Sequence, residues 1–232
     1  MQNKETDLLT TYDLFIFDLD GTLYDQQKLR NIMLAELIFR FFTFRISLRK
    51  LKIINRFRKL REQKLGFESP AIHDEQFRWC AESLDIPVSE VRPVIEHWML
   101  DYPLRHLRQA RYPKVKSFFL ELKKQGRNIA VYSDFPVDDK LKALRLEADK
   151  TFCSTDDRIA QLKPSKKGTQ TICQAFGCPA EKTIFFGDRL DTDGESARMA
   201  RVRFIHVDPR MARKGRFYRR LLNQIIHQDG QS

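Results

Sequence analysis

Five short apolar runs punctuate the chain, at Leu14–Phe17, Ile129–Tyr132, Thr151–Cys153, Thr183–Phe186 and Val202–Val207. Each has the length of a buried strand. Helical patterns fall between several of them. Val115, Phe118, Phe119 and Leu122 stand at i, i+3, i+4 and i+7, with Pro113 before the run and Gly126 after it. A proline just ahead and a glycine just past are the punctuation of a helix. Ser165, after Lys163-Pro164, is placed to cap a helix running through Phe176. Strands that alternate with helices pair in parallel and need cover on both faces. The expected fold class is therefore α/β, a doubly wound parallel sheet.

One stretch breaks the alternation. From about Gln26 to Leu104 the patterns are helical and no strand stands out. Leu34, Leu37, Ile38 and Phe41 share a face, as do Phe77, Cys80, Ala81 and Leu84, and Val91, Val94, Ile95 and Trp98. A loop at Gly66–Pro70 separates the first helices from the later ones. Some eighty residues between the first two strands is far longer than an ordinary connection, which runs to about six. The stretch reads as a helical subdomain inserted into the sheet domain. The expected division is 1–25 with 105–209 for the core, 26–104 for the insertion, and 210–232 for a basic C-terminal helix or tail.

The chain has 232 residues, enough to bury a full core, and a net charge of +11. That charge is concentrated. Residues 28–64 hold twelve Lys/Arg against Glu36 and Glu62, and residues 198–220 hold nine against Asp208. The remainder is mildly acidic, so the two basic segments need an explanation of their own. No uninterrupted apolar run approaches the roughly 20 residues that span a bilayer, and the opening MQNKETDLLTTYD carries no apolar signal region. Cys80, Cys153, Cys173 and Cys178 are too scattered for a disulfide framework, which suits reduced thiols in a cytoplasmic protein. Cys173 and Cys178 lack a second Cys or His pair at zinc spacing.

The strand ends carry the chemistry. The first strand runs straight into Asp18-Leu19-Asp20-Gly21-Thr22. Two carboxylates one residue apart repel, and need a cation or a shared proton. The second strand ends at Ser133, and a loop before a helix carries Lys163. The fourth ends in Gly187-Asp188-Arg189-Leu190-Asp191-Thr192-Asp193-Gly194. Ligands of open parallel sheets bind outside the carboxyl ends of the strands. Each feature alone has a bland reading: an acidic turn, a loop serine, a surface lysine, a solvated acidic loop. The ordered set of four is hard to explain blandly.

That set resembles the motifs of the haloacid dehalogenase superfamily, in its phosphatase branch, over about Asp13 to Pro209. The inserted helices resemble the cap of the phosphoglycolate-phosphatase-like members. The resemblance implies a Rossmann-like core with an α-helical cap. It implies an Mg²⁺-dependent phosphatase of a small phosphorylated metabolite, a sugar phosphate or phosphoglycolate-like acid. Asp18 would be the nucleophile that forms an aspartyl-phosphate. Asp20 would act as general acid and then general base. Ser133 and Lys163 would bind the phosphoryl group, and Asp18, Asp188 and the Asp20 backbone carbonyl would hold Mg²⁺. Asp193 would stand behind Lys163 or the metal site, with Asp191 competing for that place. Dehalogenases of this superfamily lack an acid two residues after the nucleophile, so Asp20 supports phosphoester chemistry. Nucleotidase and phosphomutase remain lesser alternatives. Asp134 departs from the uncharged amide of many relatives, and would oppose a phosphate unless it turns away.

The basic segments have a simple reading as helices with buried apolar faces and solvated cations. In residues 43–64, Ile53, Phe57 and Leu60 would face inward; in the tail, Phe217, Leu221 and Ile225 would dock the last helix. One alternative is that some cations of residues 43–64 face the crevice and bind a second anionic group of the substrate; another is a basic interaction protein on the same scaffold, with residues 43–64 and 210–220 meeting an anionic partner or membrane surface. No nucleic-acid-binding motif accompanies the charge, so nucleic acid is not expected as a partner.

Overall fold

The computed structural model describes residues 11–43 and 46–229. Residues 1–10 of the expected core, Phe44 and Arg45 of the first basic segment, and residues 230–232 of the tail lie outside the described residues. Five parallel strands form one sheet: β1 (Leu14–Phe17), β2 (Asn128–Ser133), β3 (Lys150–Cys153), β4 (Thr183–Gly187) and β5 (Arg203–His206), in the order β3-β2-β1-β4-β5. The expected α/β class, doubly wound and parallel, is what the chain adopts.

Residues alternate across the central strand, so each face receives its own core. Phe15 and Phe17 point to one side, where α6 (Val115–Lys124) covers them with Val115, Phe118, Phe119 and Leu122. Phe17 stacks on Phe186 at 4.9 Å between ring centroids and meets Phe119 at 4.8 Å. Leu14 and Ile16 point to the other side, into a cluster with Ile172 of α8 (Lys166–Phe176) and Ala197 of α9 (Glu195–Met199). Ser165 caps α8, its side chain accepting from the Gly168 N–H at 2.9 Å. A short helix, α7 (Asp138–Leu144), follows β2.

Between β1 and β2 the chain is helical: α1 (Gln26–Phe42), α2 (Leu48–Gln63), α3 (Ile72–Leu84), α4 (Val88–Ile95), a π-helical turn at Glu96–Asp101, and α5 (Leu104–Ala110). A separate cluster of Ile53, Phe57, Phe77, Cys80, Val91, Ile95 and Trp98 holds this part together. Along α1, Leu37 and Phe41 pack against that cluster, whereas Leu34 and Ile38 face solvent. The shared face of that helix thus splits into a covered half and an open half. On α2 the inward face is Ile53, Ile54 and Phe57, and Lys50, Lys52 and Lys59 are exposed.

Two helices end the described chain, α10 (Pro209–Arg213) and α11 (Arg216–Asp229). Leu221 and Ile225 are buried as expected, but Phe217 is only partly so. Tyr218 is the anchor instead, because it shares the face of Leu221 and Ile225 at i, i+3 and i+7. Its hydroxyl donates to the Thr22 carbonyl at 2.6 Å inside the core. Arg213 does not project into solvent alone: its guanidinium donates twice to the Asp25 carboxylate, at 2.6 and 3.0 Å. Asp25 in turn caps α1. Among the described residues no helix is long and apolar enough to cross a membrane.

Tyr218→Phe keeps the ring and strands a buried carbonyl. It should lower the unfolding free energy by about 1–2 kcal/mol. Urea unfolding of the two proteins, compared at constant m, checks this.

Candidate active site

Winding runs outward from β1 through β2 to β3, then resumes at β4 on its other side. The crevice at this reversal is where doubly wound sheets place their ligands. Register decides which residues meet there. Phe17 pairs with both Val131 and Phe186, so Asp18 comes level with Tyr132 and Gly187. The Asp18 N–H donates to the Phe186 carbonyl at 2.8 Å, which extends the ladder to the site's edge.

Four charged groups from three parts of the chain converge there. Lys163 Nζ donates to Asp18 Oδ1 at 2.7 Å, to Asp193 Oδ1 at 2.9 Å and to the Tyr132 carbonyl at 2.9 Å. Asp188 joins Asp18 and Asp193, their ligand oxygens lying within 4.8 Å of one another. Burial and the neighbouring Asp193 push Asp18 well above the ordinary carboxylate range. Burial and Asp193 also raise Asp188, to about 6. Asp193 is raised by burial, against the pull of Lys163. Burial alone would lower Lys163, but Asp18 and Asp193 reverse this and hold it well above its usual value.

Three carboxylates thus face one ammonium. Asp18 Oδ2 and Asp188 Oδ1 are buried and have no hydrogen-bond partner. Orphaned oxygens on crowded acids are a set that a hard, oxygen-seeking divalent cation satisfies. Among the described residues no other group of three His, Cys, Asp or Glu side chains converges in this way. Gly21 explains the tight turn beside them. Its φ is +97°, and a Cβ there would overlap the Asp188 carboxylate.

Asp20 points into a second group. Ser133 Oγ donates to Asp20 Oδ2 at 3.0 Å, Lys140 Nζ donates to its two oxygens at 2.6 and 2.9 Å, and the Tyr24 hydroxyl donates to Oδ1. Burial pushes the Asp20 carboxyl up, but the charge and hydrogen bonds of Lys140, with the Tyr24 and Ser133 hydroxyls, outweigh it and hold it below its ordinary range. Burial and Asp20 push the Tyr24 hydroxyl well up, so it stays a donor. Asp18 and Asp20 leave the same strand end yet sit in opposite electrostatic settings.

Asp191 is exposed and paired with Arg189 at 2.6 Å, away from Lys163, while Asp193 is buried against it. Asp134 turns from the crevice: its carboxylate accepts from the Ser154 hydroxyl and from the Lys163 N–H at 3.1 Å. It pins the Lys163 loop instead of opposing an anion. Lys140 and Tyr24 are the residues that motif reasoning missed. Lys140 left a trace in the sequence, as a cation on the face of α7 that Val137, Leu141 and Leu144 bury.

A cavity of about 290 Å³ opens above this site, with Asp20, Tyr24 and Lys140 on its floor and α1, α2 and the Glu96–Asp101 turn as walls. Arg61 of α2 binds the helical part to the core. Its guanidinium donates to the Asp134 carbonyl at 2.7 Å and to Gln76 Oε1, and lies 4.3 Å over the Phe135 ring.

Residues 12–201 match the family described as haloacid dehalogenase-like hydrolase. The chain belongs to this family, and is a hydrolase. Among solved structures, a 2-haloacid dehalogenase from Pseudomonas syringae pv. Tomato DC3000 is 18% identical, with a TM-score of 0.59 over 86% of this chain and 87% of that one. A predicted phosphoglycolate phosphatase from Haemophilus somnus 129PT is 19% identical, with a TM-score of 0.54 over 85% and 86%. CbbY from Rhodobacter sphaeroides, solved with phosphate, is 17% identical, with a TM-score of 0.53 over 84% and 85%. At these identities the likeness is one of fold. No curated protein matches the sequence.

Two outcomes follow from the electrostatics. Protons compete with a cation for Asp188, whose raised pKa puts the crossover near pH 6. Mg²⁺ should raise the melting temperature at pH 7.5 and lose that effect at pH 5, read by scanning fluorimetry; an equal rise at both would refute the assignment. In Lys140→Met burial acts on Asp20 with less opposition, so Asp20 should titrate higher than in the parent, measured by carboxyl-carbon NMR.

Proposed function

We propose that the protein is an Mg²⁺-dependent phosphatase that hydrolyses a phosphate monoester through an aspartyl-phosphate on Asp18. The observation that carries this reading is Asp20, an acid beside the nucleophile with its carboxylate on the cavity floor, bonded to Ser133 and Lys140. A departing alkoxide needs a proton, and a departing halide does not. A dehalogenase has no use for a second acid held in this way.

An Asp18 oxygen attacks phosphorus as the bond to the leaving oxygen breaks, and Asp20 supplies the proton that this oxygen takes up. Asp20, now a carboxylate, removes a proton from water. The water oxygen attacks phosphorus, and phosphate leaves with Asp18 restored. Lys163 offsets the charge of Asp18 throughout, and Ser133 turns its hydroxyl toward a phosphoryl oxygen. Asp18, Asp188 and the Asp20 backbone carbonyl would hold Mg²⁺, which supplies charge neutralisation for the transferring phosphoryl group. Asp193 keeps Lys163 directed at Asp18.

Asp20 is held ionised while Lys140 and Ser133 are bonded to it. An incoming phosphate dianion competes for both donors and adds negative charge nearby. Each effect raises the Asp20 pKa, so binding prepares the acid that the first step needs.

Phosphate release with Mg²⁺ and with chelator tests this reading. Asp18→Asn should abolish turnover with the fold retained, and Asp20→Asn should lower kcat about 10²–10⁴-fold. Full activity in Asp18→Asn, or metal-independent halide release from a 2-haloacid, would overturn the reading.

A further inference from the structure

The cavity wall facing Asp20 is apolar over most of its extent: Met33, Leu37, Ile54, Trp98, Met99 and Leu104 line it. Much of the polar lining is already committed within the protein. Arg61 is bonded to Gln76 and the Asp134 backbone, Asp134 to Ser154 and Lys163, Arg189 to Asp191, and Lys140 to Asp20. The remaining polar side chains are Gln26 and the exposed Arg30, Arg58 and Glu62, so few fixed partners face the hydroxyls of a sugar, and buried hydroxyls without partners bind poorly. The volume, about 290 Å³, lies at the lower edge of small-molecule pockets.

The apolar surface does not stop at the mouth. Leu34 lines the cavity and is 57% exposed, and Leu65 lines it at 44%. Ile38 and Phe42 continue the Leu34 stripe of α1 at successive turns, 49% and 74% exposed. Contiguous exposed apolar surface of this kind marks a place where something apolar binds. Arg30 of α1 and Arg58 of α2 also line the cavity near this rim, with the Glu62 carboxylate acting on Arg58, and the two cations leave the rim net positive. Two cations beside a phosphate-binding floor draw an anionic head group inward.

We infer that the substrate is an amphiphilic phosphomonoester. Its phosphate meets Asp18, its apolar body fills the cap cavity, and the remainder of the chain leaves along Leu34, Ile38 and Phe42. The inference rests on the phosphatase reading and deepens it by naming the leaving group as a long apolar alcohol.

Binding and turnover test the two readings separately. n-Alkylphosphonates of two to ten carbons cannot be hydrolysed at the P–C bond, and calorimetry below their micellar range measures how affinity depends on chain length. Affinity should rise about fourfold per methylene until the cavity is filled. n-Alkyl phosphates should show the same slope in kcat/KM, with octyl phosphate well above glucose 6-phosphate. Leu34→Glu, at an exposed rim position, should lower the octyl-to-ethyl ratio about tenfold in both measurements. A flat affinity series, or a preference for glucose 6-phosphate, would overturn the amphiphile. Hydrolysis of ethyl phosphate reports on the phosphatase independently, so silence there with a steep phosphonate series would sink the phosphatase reading and leave the apolar site standing.

Discussion

Three carboxylates, two buried and one half-buried, gathered around one lysine are the constraint on which the rest of the structure depends. Asp18, Asp188 and Asp193 would repel one another apart if Lys163 did not bridge two of them at 2.7 and 2.9 Å. A buried charge is tolerated only when paired and hydrogen-bonded. The parallel sheet provides that tolerance by setting register: β1 and β4 deliver the acids side by side, and the Tyr132 carbonyl of β2 takes a third bond from the lysine. The charge left over points to a cation. A site that is incomplete by itself is then ready for a divalent cation.

The helices between β1 and β2 are held to the sheet and its loops at several points. Arg61 reaches from α2 to the Asp134 backbone. The Gly66–Pro70 loop forms a β-bridge, Glu68 to Gln161, with the loop that carries Lys163. The Gly66 N–H donates to the Lys163 carbonyl at 3.2 Å, and the Leu162 N–H donates to the Phe67 carbonyl at 3.0 Å. The loop that follows α2, a wall of the cavity, is therefore bonded to the loop that carries Lys163. At the other end of these helices, Asp25 begins α1 and accepts from Arg213 of the tail. The tail's basic character thus has in part a structural use.

Most of the fold was legible in the residues. All five strands fall where apolar runs were expected, and the three central ones, β1, β2 and β4, are buried on both faces and leave a continuous apolar signature. The α6 and α8 helices follow their spacing and caps. The tail was harder: Phe217, Leu221 and Ile225 form a plausible face, but Tyr218 is the residue buried, and a hydroxyl partner on Thr22 is invisible to periodicity. Leu34 and Ile38 were read with Leu37 and Phe41 as one face. Which half of an apolar stripe is covered depends on what lies opposite, and spacing carries no such information.

By itself the sequence determined the sheet, the inserted helices and the residue types at each strand end, since these follow from local pattern and short motifs. Tertiary structure alone decided how those residues are charged and partnered. Lys140 meets Asp20 across 120 positions of chain, and Lys163 meets Asp18 across 145. It decided that Asp193 and not Asp191 backs the lysine, and that Asp134 turns to Ser154. It also decided that an apolar cavity stands above the acids. The reason is physical: a pKa or a cavity depends on burial and on charges brought together from distant positions, and no local reading of the chain contains those distances.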